Sequence, residues 1–285
     1  MFITNFYCQN LLRILIYLAI FIYAIIANPV NANSPFLVIP QSESHDSATA
    51  NYYPEKLLKL ALQKTEASDG KVEVRFYPAV IGRNRSRVIL MNKQGLDVIW
   101  SSSNHHREEQ LLAVKFNLYK GLSEYKILLI RTEDQKQFSE IKTLDDLRHL
   151  KAGTGTHWQD TQVLTFNDMR FVTSWDYEPM FKMLAAKRFD YMVRSAHEVW
   201  SEVTRHSEFP LMAEQTLLLH YHQPVYYFVH KENTVLAERI LRGLNLAQAD
   251  GSLDALLNSV PGFKIAAEEI HNKQRRILEL ENPEQ

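Results

Sequence analysis

Apolar positions along this chain change their period repeatedly, from the two-residue alternation or short runs of strands to the three- and four-residue spacing of helices. The stretches "FLVIP" (36–40) and "KVEVRFYP" (71–78) are short and rich in β-branched and aromatic residues, whereas Leu57, Leu58, Ala61 and Leu62 between them recur at helical spacing. "GLDVIW" (95–100) predicts a third strand, entered through Gly95 and apolar on both faces, as a covered parallel strand would be. "EYKILLIR" (124–131) reads as a strand, and "TLDDLRHL" (143–150) as a short helix capped by Thr143; another helix is expected to begin near His157. Tyr177, Met180, Phe181, Leu184 and Ala185 mark one helical face, with "RFDYMV" (188–193) as the strand that follows. "LLLHYHQPVYYFVH" (217–230) predicts two strands broken at Pro224. A helix carrying Ala237, Ile240, Leu241 and Leu244 then ends at Gly251, and the next starts at Ser252. The charged tail from 271 to 285 is expected to be a frayed surface helix. Strands alternating with helices over most of the length predict an α/β fold class.

The first 32 residues need a different account. One charge, Arg13, precedes the 14-residue apolar run 14–27, and "NPVNA" (28–32) offers a small-x-small site. That order predicts a cleaved signal peptide over residues 1–32, cut after Ala32, and hence a periplasmic chain; an uncleaved anchor is the alternative. The single cysteine, Cys8, lies in this segment, so the remaining chain is expected to carry no disulfide, thiolate metal site or cysteine nucleophile. Removing residues 1–32 takes one of 32 basic residues and none of 33 acidic ones, leaving a net charge of −2, which predicts no nucleic-acid partner. The 253 residues left fit two modest domains.

Two strand ends carry candidate chemistry. "SSSNHHR" follows the buried run ending at Trp100, so Ser101, Ser102 and Ser103 stand at a strand's carboxyl end with Arg107 about a turn later. Ligands of open α/β sheets bind at such ends, and hydroxyls beside a guanidinium suit a carboxylate. The plainer alternative is that the serines cap a helix and Arg107 is solvated. In "AGTGTHWQDT" (152–161), Gly153 and Gly155 allow close backbone approach, with Thr154 and Thr156 at the start of the next helix. Tyr52 and Trp158 are expected as stacking walls, and Trp100 as core.

The order "GLDVIWSS" then Arg, "TLDDLRHLKAGTGTHWQDT", "YEPMFKMLAAKRFDY" and "NTVLAERILRGLNLAQADGSLD" resembles the bacterial extracellular solute-binding proteins of family 3, over roughly residues 35–260. The resemblance implies a two-lobed type II periplasmic-binding-protein fold, each lobe a mixed sheet flanked by helices, joined by two hinge strands. It places lobe 1 at 33–122 plus 224–285 and lobe 2 at 123–223. It implies ligand binding by Ser101, Ser102 and Arg107 of lobe 1, with Thr156 and His157 of lobe 2, His157 replacing the Thr or Ser usual in the family. Where amino-acid binders of the family carry an acid for the ligand's α-ammonium, this chain has Arg194, which would favour a second anionic group unless Glu198 neutralises it. The implied function is capture of an organic acid or amino-acid-like ligand by a monomer of a Gram-negative bacterium. Its partner would be an ABC permease or a membrane sensor, and no cofactor, metal or catalytic step is expected. A lyase on the same fold, or an orphan module acting through protein contacts, are the alternatives. His220 and His222 share a strand face but lack a further ligand at convincing spacing, so an unliganded surface or hinge pair is expected.

Overall fold

The computed structural model describes residues 35–41, 52–156 and 158–283. The expected signal peptide and His157 lie outside the described residues. Among the described residues no helix is long and apolar enough to cross a membrane.

The chain runs through β1 (Phe36–Ile39), α1 (Tyr53–Lys64), α2 (Glu66–Asp69), β2 (Glu73–Phe76), α3 (Arg83–Met91), β3 (Val98–Ser102), α4 (His105–Gln110) and β4 (Leu111–Val114). It continues through β5 (Tyr125–Arg131), α5 (Gln135–Ser139), α6 (Leu144–Arg148), β6 (Lys151–Gly155), α7 (Gln159–Phe166), β7 (Arg170–Ser174), α8 (Glu178–Ala185) and β8 (Tyr191–Ser195). Then come α9 (Val199–Arg205), β9 (Leu211–Ala213), β10 (Leu217–His220), β11 (Val225–His230), α10 (Thr234–Ala249), α11 (Ser252–Asn258), α12 (Pro261–Ile270) and β12 (Arg276–Glu279).

Three sheets form. β1 and β2 pair in parallel; β11 lies between β3 and β4, antiparallel to both; the largest sheet has the order β12-β10-β5-β8-β6-β7, with β9 beside β5. The expectation that β3 is a parallel strand is thus corrected, since its ladder partner β11 is antiparallel. Both of its faces are nevertheless covered, Val98 packing with α1 and Ile99 with Ile89 and Leu90 of α3, while Asp97 ties its start to β1: Val38 N donates to Asp97 Oδ2 (2.7 Å) and Asp97 N to Val38 O (2.9 Å).

Buried apolar side chains segregate by sheet. Tyr53, Leu57, Leu58 and Ala61 of α1 pack with Tyr227, Val229, Ile240, Leu244 and Phe263. Leu128, Ile130, Phe138, Tyr191 and Leu219 fill one face of the largest sheet, and Ile127, Leu129, Phe181, Phe189 and Met192 fill the other. Two chain segments pass between these groups side by side: Leu118 N donates to Val225 O (2.9 Å) and Tyr221 N to Glu124 O (3.3 Å).

The chain's end differs from expectation. Residues 276–279, which the sequence suggests as part of a frayed helix in the first lobe, form β12 and pair in parallel with β10 of the largest sheet. Alternation in "RILEL" is the reason: Leu278 and Leu280 enter the core beside β10, while Ile277 and Glu279 face outward.

Candidate functional site

At the carboxyl end of β3 lies a cavity of about 160 Å³, walled by Ile81, Ile99 and Trp100 and edged by Ser101, Arg83, Arg87 and Arg107. Ser101 and Arg107 thus meet, as their spacing suggests, but Ser102 and Tyr52 are not among the lining residues. Trp100 does both: half-buried at the end of β3, it packs against the core around α1, as expected, and also walls the cavity. Arg107 Nη1 donates to the Ser102 carbonyl, and its guanidinium sits 5.9 Å from the Phe228 ring. Asn104, not a serine, caps α4, with its Oδ1 accepting from Arg107 N at 2.8 Å. Ser103 is buried and donates to Glu108 at 2.5 Å, so the third serine serves the local structure.

Around β6 and β8 the structure shows the alternative in which Glu198 neutralises Arg194, with Glu202 as a further partner. Arg194 does not offer its guanidinium to a ligand: Nε donates to both carboxylate oxygens of Glu202 (2.8 and 3.0 Å), and Nη2 to Glu202 (2.5 Å) and Glu198 (3.1 Å). The Trp158 ring lies 4.7 Å from that guanidinium and the Tyr177 ring 5.4 Å, and Tyr177 Oη donates to Glu202 at 2.6 Å. Trp158 rests on Gly155, where a Cβ would come within 2.3 Å of the indole. Arg194 with two carboxylates is a closed group of net charge −1, only 11% exposed at the arginine. Burial works against its charge, but Glu202 and Glu198 outweigh burial and hold it protonated. Burial likewise works against ionisation of Glu198, yet Arg194, aided by His197, Arg83 and Lys126, draws that carboxyl down to about 2. Glu202 was not foreseen from the sequence, because it lies eight positions on, across a strand-to-helix turn, where no single-element spacing points; Tyr177 here, and Arg83 and Arg87 at the cavity, were likewise not expected site residues.

The cage and the cavity approach each other. Gln159 Nε2 donates to Ser103 O (3.1 Å), and the charge of Arg83, a cavity residue, acts on Glu198. Thr156 N is held by Ser174 O (2.9 Å), while its Oγ1 is buried with no hydrogen-bond partner among the described residues.

No protein-family model and no curated protein matches the sequence. Solved structures do. An ancestral arginine-binding protein bound to glutamine superimposes with a TM-score of 0.60 at 16% identity, covering 80% of this chain and 98% of its own. An ancestral amino-acid-binding protein described as a precursor of cyclohexadienyl dehydratase gives 0.58 at 13%, covering 79% and 95%. A histidine kinase sensor domain with similarity to periplasmic binding proteins gives 0.58 at 16%, covering 80% and 96%. The chain has the two-lobed type II periplasmic-binding-protein fold. These neighbours are mainly binding proteins.

Within that fold a buried polar cluster sits where the paired segments cross. Lys126 Nζ donates to Gln223 Oε1 (2.8 Å), lies 3.6 Å from Asp160 and stands 5.0 Å from the Tyr221 ring, whose hydroxyl donates to Asp160. Next to it His220 pairs with Glu279 (2.6 Å) and meets the Tyr125 ring at a tilt (4.5 Å), whereas His222 is exposed beside Glu124. Among the described residues no group of three metal-ligating side chains occurs.

Proposed function

We propose that this chain is an exported periplasmic solute-binding protein that closes two lobes, 33–122 plus 224–285 less the β12 strand and 123–223, around a small carboxylate-bearing ligand. The observation that carries the reading is the cavity at the end of β3, where Ser101 and Arg107 converge in a fold whose neighbours are named for binding amino acids. Arg107 holds the carboxylate; Thr156, with its unpartnered buried hydroxyl, meets the ligand from the other lobe. Arg194 has no direct part, since its donors face Glu202 and Glu198, and it fixes Trp158 instead. The closed form is read by a membrane permease or sensor, and the ligand leaves unchanged.

Calorimetric titration of the purified protein with amino acids, small organic acids and sugars tests this. A carboxylate ligand should bind, and Arg107→Ala should weaken it about 10- to 100-fold, the value of a charge-assisted hydrogen bond. Undiminished affinity in that variant would remove Arg107 from the site, and turnover of the ligand would replace the binding role by an enzymatic one.

A further inference from the structure

The cavity at the end of β3 holds more positive charge than a single carboxylate requires. Arg83 and Arg87 stand one turn apart on α3 and share a face, Arg107 approaches from α4, and no Asp or Glu is among the lining residues. Arg87 donates through Nη1 to Gln110 Oε1 (3.1 Å), but its Nε is buried with no acceptor among the described residues. Arg83 has no ion-pair partner among the described residues; Glu198, on which its charge acts, is bonded to Arg194 and lies outside the lining. Three guanidinium groups around about 160 Å³ repel one another, and a buried N–H without an acceptor is costly. One solute relieves both: a small molecule with two or more negative groups, which Arg pairs can grip bidentately.

We propose that this cavity selects a small polycarboxylate, with one carboxylate on Arg107 and Ser101 and the second on Arg83 and Arg87, between the apolar walls of Ile81, Ile99 and Trp100. The inference rests on the solute-binding reading above and adds the ligand's class. It also moves the second anion-binding group: the sequence suggests Arg194 on one lobe, whereas the free positive charge is on α3 of the other.

The test is calorimetric titration of the purified protein at low salt with succinate and citrate, against acetate, glycine and inorganic phosphate, repeated on Arg83→Gln and Arg87→Gln. Succinate or citrate should bind at least tenfold tighter than acetate or glycine, and each substitution should weaken succinate and citrate far more than acetate, erasing most of that margin. Arg83 is exposed, so its variant folds normally and keeps the test decisive if Arg87→Gln does not. Glycine or acetate binding as tightly as succinate, or variants with unaltered preference, would overturn the polycarboxylate class and leave a solute-binding protein standing. Phosphate bound in preference to both acids would overturn the class in favour of an inorganic oxyanion. Binding of none of these, nor of other amino acids or sugars, would overturn this inference and the solute-binding reading together.

Discussion

Replacing Arg194 by Met would leave two carboxylates, Glu202 at 5% exposure and Glu198, facing each other across the space the guanidinium filled. Breaking a buried pair from one side costs about 3–5 kcal/mol, because the remaining charge is desolvated without a counter-ion. The urea midpoint of Arg194→Met should fall accordingly, and Trp158 fluorescence should change with the loss of its 4.7 Å neighbour. Arg194→Lys should recover little, since an ammonium cannot serve Nε-side and Nη2-side acceptors at once. A variant as stable as the parent would mean that the cage is not a structural unit. At this scale the sequence was informative about Arg194 and Glu198, which are four positions apart, but not about Glu202 or Tyr177. Those two reach Arg194 only after β8 turns into α9 and α8 packs alongside, and a tertiary contact leaves no periodic trace.

Elements were legible where their signals are local. Thr143 caps α6 in a full capping box, its hydroxyl accepting from Asp146 N (3.2 Å) while Asp146 accepts from Thr143 N (2.9 Å). Thr143→Ala should therefore lower stability by about 1 kcal/mol in urea denaturation. Strand partners were less legible than strands: the apolar run of β3 implies burial on both faces, and α3 and α1 can bury it as well as a parallel neighbour could. β12 escaped notice because four residues of alternation are lost among flanking charges. One contact between elements depends on a single residue type: Gly243 of α10 lies against α1 so closely that a Cβ would stand 2.0 Å from the Ala61 carbonyl oxygen. Backbone cannot give as a side-chain tip can, so Gly243→Ala should force the helices apart and cost about 1–3 kcal/mol or more. An unchanged melting temperature would show that the two helices are free to separate.

For the whole molecule, the junction between the two core groups depends on a neutral histidine. His197 follows Ala196 of the larger sheet's core, yet its ring stacks on Tyr119 (5.0 Å) and meets Phe263 (4.9 Å) of the other core, and Gly262 presses on its carbonyl. Burial lowers its pKa to about 4; Glu198 opposes this, and Lys126 and Arg194 reinforce it. The unfolded chain takes up this proton near pH 6.5 and the folded one only near 4, so the unfolded state binds more protons between those values. The stabilisation is therefore complete above pH 6.5 and declines as pH falls, with about 3 kcal/mol gone by pH 4. Glu198, held down at about 2, adds to the loss once pH falls below about 4.5. His197→Phe keeps the aromatic stack and removes a ring whose Nδ1 is buried without a partner among the described residues. Its urea midpoint should be nearly flat between pH 6.5 and 4.5, where that of the parent declines. Hydrogen exchange in the parent over the same interval should quicken first around Tyr119, His197 and Phe263, with the α1–α10 contact at Gly243 protected until the chain unfolds as a whole. An equal slope in both proteins would assign the acid sensitivity to other groups, and uniform loss of protection would mean that the junction is no weaker than the lobes it joins.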